Sequence, residues 1–219
     1  MVHNLGLQNS VFNQFISEIR CTEKQSDRLR FRRNMERLGE IFAYEISKHL
    51  EYSEREITSP LGVANMKVLS EVPVLATILR AGLPLHQGVL NYFDFADNAF
   101  ISAYRRHHKN GKFDIALEYV SCPQIDNRTL IIVDPMLATG ASMEITYKAL
   151  LNYGKPKHTH IIAAIASMEG VDFIKRKLNP KEVSLWVGAI DDELTAQSYI
   201  VPGLGDAGDL AYGPKIHLD

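Results

Sequence analysis

Cysteine is scarce in this 219-residue chain: there are two, Cys21 and Cys122, without the spacing of a metal knuckle or a redox pair. A disulfide framework is therefore excluded, and a reduced cytoplasm is the compartment expected. Long apolar runs are missing as well. None approaches the roughly 20 residues needed to span a bilayer, and the first residues lack the apolar core of a signal peptide. Net charge is almost absent, at −2, which argues against non-specific binding to nucleic acid. The eight histidines form no HExxH pattern; His107-His108 and the alternating His158 and His160 read as loop and strand-start residues rather than ligands. There is no internal repeat and no low-complexity linker. With 46% hydrophobic and 23% charged residues the composition is that of an ordinary globular core, so the chain is expected to form one domain with appendages.

What is present centres on Leu130 to Ser142, LIIVDPMLATGAS. Leu130, Ile131, Ile132 and Val133 read as a buried strand. Asp134 follows at its carboxyl end, and Pro135, which cannot donate to a ladder, is expected to stop it. Thr139, Gly140, Ala141 and Ser142 are small or hydroxylated. Met143, Tyr147, Leu150 and Leu151 then recur on one face of a helix. Gly154 is expected in the left-handed position past its end, with Pro156 blocking continuation.

Strand, short loop and helix make a place for an anion. The first amides of a helix lack internal partners and lie at the positive end of its dipole. Small side chains let a phosphate approach, and Thr139 and Ser142 add hydroxyls. Asp134 sits where open α/β sheets bind ligands; it would repel the phosphate but accept hydrogen bonds from sugar hydroxyls. A ribose 5-phosphate satisfies both ends. The plain alternative is an αβ connection with a turn Pro and a cap Ser. A Walker A loop is ruled out because Ala141-Ser142 stand where Lys-Ser or Lys-Thr would be required. A dinucleotide fingerprint is ruled out because the loop has a single Gly.

The rest of the chain alternates strands and helices, which implies a mainly parallel sheet flanked by helices. A short amphipathic piece spans Val11 to Ile19. Ser26 or Asp27 can cap a long helix to about Leu50, with a stripe of Leu38, Ile41, Phe42 and Ile46. The basic half of that helix, Arg28, Arg30, Arg32, Arg33 and Arg37, reads as a solvated face; the sharper alternatives are an anion or nucleotide effector site, or a subunit contact. Glu56–Thr58 and Lys67–Leu69 flank Pro60 and Gly62 as a small hairpin outside the core. Pro73–Leu79 is a buried strand ending at Arg80-Ala81-Gly82, where Gly82 is expected to supply unusual backbone angles and Arg80 forked donors. Ala99–Tyr104, a basic stretch, the turn signal Asn110-Gly111 and alternating Phe113 to Tyr119 make a second hairpin. Strands over Thr159–Ala166 and Val183–Ile190 bracket a helix from about Gly170 to Leu178. The last stretch, Tyr199–Tyr212, carries Pro202, Gly203, Gly205 and Gly208 and reads as a loop holding Asp206 and Asp209.

An acid after an apolar strand, followed by Ala-Thr-Gly, resembles the phosphoribosyl-diphosphate (PRPP) motif of the type I phosphoribosyltransferases. With Pro135 in place of the usual second acid, Asp-Pro-Met-Leu-Ala-Thr-Gly is similar to the uracil phosphoribosyltransferase branch; Ala141 stands where that branch usually has a second Gly. Pro-Gly-Leu-Gly-Asp-Ala-Gly-Asp at the C-terminal end resembles that branch's uracil-reading hood almost residue for residue. Leu-Arg-Ala-Gly at 79–82 resembles its pyrophosphate-gripping loop, and Tyr104-Arg105 its flexible hairpin. The resemblance runs from about Arg28 to the end.

It implies the type I fold, with an N-terminal helical segment 1–50, a hairpin flap at about 104–120 and a hood at about 191–219. It implies conversion of uracil and PRPP to UMP and diphosphate in pyrimidine salvage. Catalysis would rest on Asp134, Arg105 and Arg80, with PRPP held by Arg80, Arg105, Asp134, Pro135, Met136, Leu137, Ala138, Thr139, Gly140, Ala141, Ser142 and Asp206. Uracil would meet Ile200, Gly205, Asp206 and Ala207. Mg²⁺ would act without a direct protein ligand. A GTP effector and a homodimer or larger homo-oligomer belong to the same expectation; nucleic acid and membrane do not. The rivals are a PRPP- or nucleotide-sensing regulator that controls RNA or a partner, whose RNA-binding version should show a basic face, and a purine or orotate transferase, against which the hood argues.

Overall fold

The structure, a computed structural model, describes the backbone of residues 1–107 and 113–215, and the side chains of these apart from 103–107 and 113–116. The chain opens with β1 (Val2–Asn4), a 3-10 turn, α1 (Val11–Arg20), the single turn α2 (Thr22–Gln25) and α3 (Arg28–Ser47). The arm β2 (Tyr52–Ser59) and β3 (Gly62–Leu69) follows, then β4 (Val74–Leu79), α4 (Leu83–Leu90), β5 (Asn98–His107), β6 (Phe113–Ser121), β7 (Thr129–Val133), β8 (Met136–Leu137) and α5 (Ala141–Leu150). After a second 3-10 turn come β9 (His158–Ser167), α6 (Met168–Lys177), β10 (Val183–Asp191), the pair β11 (Glu193–Leu194) and β12 (Ile200–Val201), and α7 (Ala207–Tyr212).

The main sheet has the order β1-β10-β9-β7-β4-β5-β6, with β8 paired to β9. Every pair is parallel except β5 with β6. Both faces are covered. Ile131, Val133, Ile162 and Trp186 pack with α1, α3 and α4 on one side; Leu130, Ile132, Ile161 and Ala163 pack with α5 and α6 on the other. The alternation is the period of two expected of a strand, and double coverage explains why β7 and β9 are buried along nearly their whole length. Among the described residues no helix is long and apolar enough to cross a membrane.

Several expectations change. Three N-terminal residues pair in parallel with β10 (His3 opposite Trp186) and form an edge strand that no pattern in the sequence announced. Pro135 interrupts its strand without ending the ladder: the Asp134 amide still donates to the Ile162 carbonyl at 3.1 Å, and β8 resumes opposite Ile165 and Ala166. Gly154 has φ 132° and ψ 174°, which is not the left-handed helical position, because a 3-10 turn intervenes after α5. The basic face of α3 is solvated in part, with Arg28, Arg30 and Arg33 exposed, but it also makes fixed contacts. Arg30 donates to Glu18, Arg32 to the Ala211 carbonyl, Arg33 to Glu36 and Arg37 to Asn34. The Asn110-Gly111 turn signal and the His108–Lys109 part of the basic stretch lie outside the described residues.

Asp27 caps α3 as expected, accepting from the Arg30 amide at 3.0 Å. Buried Glu18 fastens α1 to α3: it accepts from both Arg30 donors and from Asn34 at 2.7 Å, and these bonds hold its carboxyl down to about 2. Helices α3 and α4 meet where both lack side chains. A Cβ on Gly88 would collide with the Glu36 carbonyl of α3, and one on Gly39 with the Leu85 carbonyl of α4. Overpacking a close-packed interior costs about 1–3 kcal/mol. Gly88→Ala should therefore lower the free energy of unfolding by about that amount or more in a denaturant titration. An unchanged midpoint would mean the helices separate freely.

Candidate active site at the carboxyl ends of the parallel strands

Two neighbouring strands set up the site. In the sheet Thr77 of β4 lies opposite Val133 of β7, and the Thr77 hydroxyl donates to the Val133 carbonyl at 3.4 Å. From β4 the chain passes to α4 on the face shared with α3; from β7 it passes to α5 on the opposite face. The crevice between β4 and β7 is thus a topological switch point, where open α/β sheets bind ligands.

On the β4 side the loop carries Arg80, Ala81 and Gly82, entered through a cis Leu79–Arg80 peptide. Gly82 has ordinary helical angles, φ −70° and ψ −20°, so the expected unusual backbone is absent. The demand is for space: a Cβ would meet the Thr77 hydroxyl, the Ile78 carbonyl at 2.7 Å and the Val133 carbonyl at 3.1 Å. Arg80 Nη2 donates to Asp209 Oδ1 and to the Gly213 carbonyl, both at 2.7 Å, while its Nε is buried without a partner. The first loop is therefore tied to the C-terminal hood.

On the β7 side Asp134 is partly exposed at the mouth of the crevice. Burial pushes its carboxyl up to about 7, opposed by a hydrogen bond from the Met136 amide. Met136 and Leu137 lie in β8. Ala138 is held from behind, its carbonyl accepting from the Ser167 hydroxyl at 2.5 Å, and that same hydroxyl accepts from the Gly170 amide at 2.9 Å. Gly140 is left-handed, φ 81°, and occupies the cap position of α5 with no side-chain cap. The Ser142 and Met143 amides of the first turn of α5 thus stay available to an anion, while the Ala141 amide donates to Thr139. Thr139 Oγ1 is 3.4 Å from the Ala141 amide. Ala141 is the first helical residue, so a methyl group is tolerated there; the position that requires Gly is Gly140. Ser142 lies within the first turn rather than at the cap.

The hood is more structured than a loop. Ile200 is buried on β12, Val201–Pro202 is cis, and Asp206 caps α7 by accepting from the Asp209 amide at 2.9 Å. Gly205, at φ 92°, has no atom within 4 Å of an added Cβ. Ala207 is buried in α7. Arg105 lies on β5, three residues beyond Ser102, which pairs with Leu79; its side chain is outside the described residues. Among the described residues no three His, Cys, Asp or Glu side chains gather as a metal-binding group.

Three contributors, Arg20, Asp191 and Gln25, gave no sequence signal, and Arg32 appeared only as part of the basic face of α3. Arg20 and Asp191 bind each other and Gly203 across 171 residues of chain. Arg32 holds the end of α7. Gln25, with its amide nitrogen turned towards them, lies 2.9 Å from the Leu204 carbonyl and 3.0 Å from that of Ile19. Only long-range contacts identify these residues.

Strand order, switch point and uncapped loop define a type I phosphoribosyltransferase fold, and a hypoxanthine phosphoribosyltransferase from Staphylococcus aureus superposes with a TM-score of 0.50 over 85% of this chain and 84% of its own at 14% identity. The sequence profile of the uracil phosphoribosyltransferases matches residues 7–214, and the chain belongs to that family. A uracil phosphoribosyltransferase of Porphyromonas gingivalis is 55% identical over 215 residues, covering 98% of this chain and 99% of that protein. One of Pyrococcus furiosus is 35% identical over 208 residues, covering 94% and 87%. The structure of the AQ2163 protein from Aquifex aeolicus matches with a TM-score of 0.86 at 29% identity, over 99% of this chain and all of that one.

The perturbed acid gives a pH prediction. With its carboxyl raised from 3.8 to about 7, folded Asp134 holds its proton more tightly than the unfolded chain does. The resulting stability is present at low pH and is lost as pH rises from about 4 to about 7. Asp134→Asn, which never ionises, should be more stable than the parent at pH 8 by up to ~4 kcal/mol. The difference should close as pH falls to 4. Equal melting at pH 8 would show the carboxylate to be fully solvated.

Proposed function

We propose that the chain transfers the 5-phosphoribosyl group of PRPP to N1 of uracil, giving UMP and diphosphate, as one phosphoribosyltransferase unit over residues 1–219. The observation that carries this reading is the pairing of an uncapped helix N-terminus with an isolated, partly exposed acid on one side of a switch-point crevice, faced by a glycine-rich hood. Ala138 to Ser142 would hold the 5-phosphate, with Pro135, Met136 and Leu137 shaping the approach. Asp134 would take the ribose hydroxyls. Arg80 and Arg105 would neutralise the departing diphosphate. Ile200, Gly205 and Ala207 would meet the base largely through main chain, and Asp206, whose Oδ1 is spent on the α7 cap, would face both substrates. The N1–C1 bond forms as the C1–oxygen bond breaks, the electron pair leaving with diphosphate and the N1 proton passing to solvent. Positioning and charge stabilisation suffice, and no enzyme nucleophile is needed.

Mg²⁺ fits this donor set. It favours few carboxylates with substrate oxygens and water, and Asp134 is a partly exposed acid at the crevice that makes no ion pair among the described residues. When bound, the metal would offset charge on diphosphate and ribose oxygens. The exposed apolar residues of the arm, Ile57, Leu61, Val63 and Met66, fit burial against a second copy of the chain in a homo-oligomer, which sedimentation would test. A GTP effector would find basic and aromatic groups in the cavity of about 400 Å³ lined in part by Arg32, Arg33, His86 and Tyr212, and the response of turnover to added GTP would test this.

The test of function is diphosphate release from PRPP with each base in turn. Uracil presents an N3–H donor between two carbonyl acceptors, and cytosine reverses two of those three positions. Backbone groups cannot change polarity, and a site built for one hydrogen-bond pattern rejects its mismatch by about 10⁴-fold or more. Uracil and 5-fluorouracil should react; cytosine, hypoxanthine and orotate should give essentially nothing. Comparable rates with a purine would overturn the assignment, and no reaction with any base would favour a regulator.

A further inference from the structure

The hood's own sequence offers little to hold it in shape. Gly203 and Gly205 have no side chains, and Pro202 has no amide hydrogen to donate. Yet the turn at Gly203 is gripped on both of its polar groups. Arg20 Nη1 donates to the Gly203 carbonyl at 2.9 Å, and the Gly203 amide donates to Asp191 Oδ2 at 2.9 Å. Arg20 and Asp191 close the ring with a forked pair, Nη1 to Oδ2 and Nη2 to Oδ1, both at 2.7 Å. Asp191 is 7% exposed, and these three donors satisfy it.

Each anchor sits on a rigid element. Arg20 ends α1, which Glu18 locks to α3; Asp191 ends β10. Asp191 also lies opposite Ser167 of β9, the residue whose hydroxyl holds the Ala138 carbonyl. Neighbouring residues of one sheet row therefore fix both the phosphate loop and the hood. Gly203 itself, at φ 55°, folds the chain back so tightly that a Cβ would strike the Ile200 carbonyl. Ile200 and Gly205, on either side of this turn, are groups assigned above to the base. An ion pair serving only to join α1 to β10 would have no need of the Gly203 amide and carbonyl.

We propose that Arg20 and Asp191 are positioning residues for base recognition: a clamp that sets the Ile200–Gly205 main chain against the sheet and so governs affinity for the pyrimidine base without touching it. The proposal rests on the functional reading above. Arg20→Lys keeps the charge but cannot reach both partners, and Asp191→Asn keeps the shape but loses one acceptor. In diphosphate-release assays with the full chain, each should raise KM for uracil by about tenfold or more, leaving KM for PRPP and kcat within about threefold, the signature of lost ground-state binding of one substrate. Equal changes in both KM values, a fall in kcat alone or no change in either variant would overturn it. So would failure of both variants to fold, since the pair would then serve the fold.

Hydrogen exchange decides the matter without turnover. Amides from 200 to 206 should exchange faster in both variants while those of β9 and β10 keep their rates; uniform acceleration, or none in the hood, would overturn the clamp. If the parent chain shows no turnover with uracil, the functional reading fails, and accelerated exchange confined to the hood would still identify the clamp.

Discussion

Parallel pairing of β4 with β7 is the constraint from which the rest of the architecture follows. Because their helices leave to opposite faces, the two loops diverge and leave a crevice that neither helix fills. Gly82 shows how tight the junction is. Its Cα faces the Thr77 hydroxyl and the Ile78 and Val133 carbonyls, so the first turn of α4 can start only if no side chain is present. A methyl group there would push α4 from β4 and tilt the loop that carries Arg80. The crevice and its walls are thus one packing solution.

Two carboxylates illustrate how that frame assigns different charge states to the same chemistry. Glu18 is buried among Arg30, Asn34 and Gln14, and its carboxyl is held near 2; its contribution to stability is present at neutral pH and is lost only as pH falls from about 4.5 to about 2. Asp134 is desolvated with no cationic partner among the described residues and is pushed up to about 7. The first is a fastener. The second lowers stability at neutral pH, the condition in which candidate functional groups are found. The penalty at Asp134 is borne by a fold whose doubly covered sheet and helix fasteners can support it.

How much of this was legible in the sequence depended on the range of the interaction. Asp27 as a cap, the stripe of α3, the alternating burial of β7 and the strand–loop–helix unit from Leu130 to Leu150 are written in residues a few positions apart, and local pattern finds them. The arm was read too short because β2 and β3 are exposed over most of their length and lack an apolar alternation to mark their ends. β1 was invisible: three half-buried residues form a strand only because the far edge of β10 is open to them. Gly205, Gly208 and Pro202 signalled a loop and hid α7, although Asp206 followed three residues later by Asp209 is a capping arrangement. Gly82 was assigned to backbone freedom when it serves close approach, a distinction that needs the neighbouring strand. The solvated face of α3 is legible, while the bonds of Arg30 to Glu18 and of Arg32 to the Ala211 carbonyl are not, because those partners lie in other segments.

The hood shows why such distant partners are needed. The hood packs Ile200, Leu204, Ala207 and Ala211 into the core, but its turn at Pro202 to Gly205 has few side chains with which to fix its own main chain. Its stability has to come from outside and has to act on the backbone. Three arginines do this at three points: Arg80 takes the Gly213 carbonyl and Asp209, Arg32 takes the Ala211 carbonyl, and Arg20 with Asp191 takes both polar groups of Gly203. Arginine suits the task because its planar fork can hold two acceptors at once and stays charged, whereas lysine presents a single point of charge on a flexible stem. The N-terminal helices supply two of the three anchors, and β4 supplies the other from the loop that also borders the crevice. Residues separated by most of the chain are in this way drawn together, and the hood's main chain is fixed by the sheet and helices as well as by its own cap at Asp206.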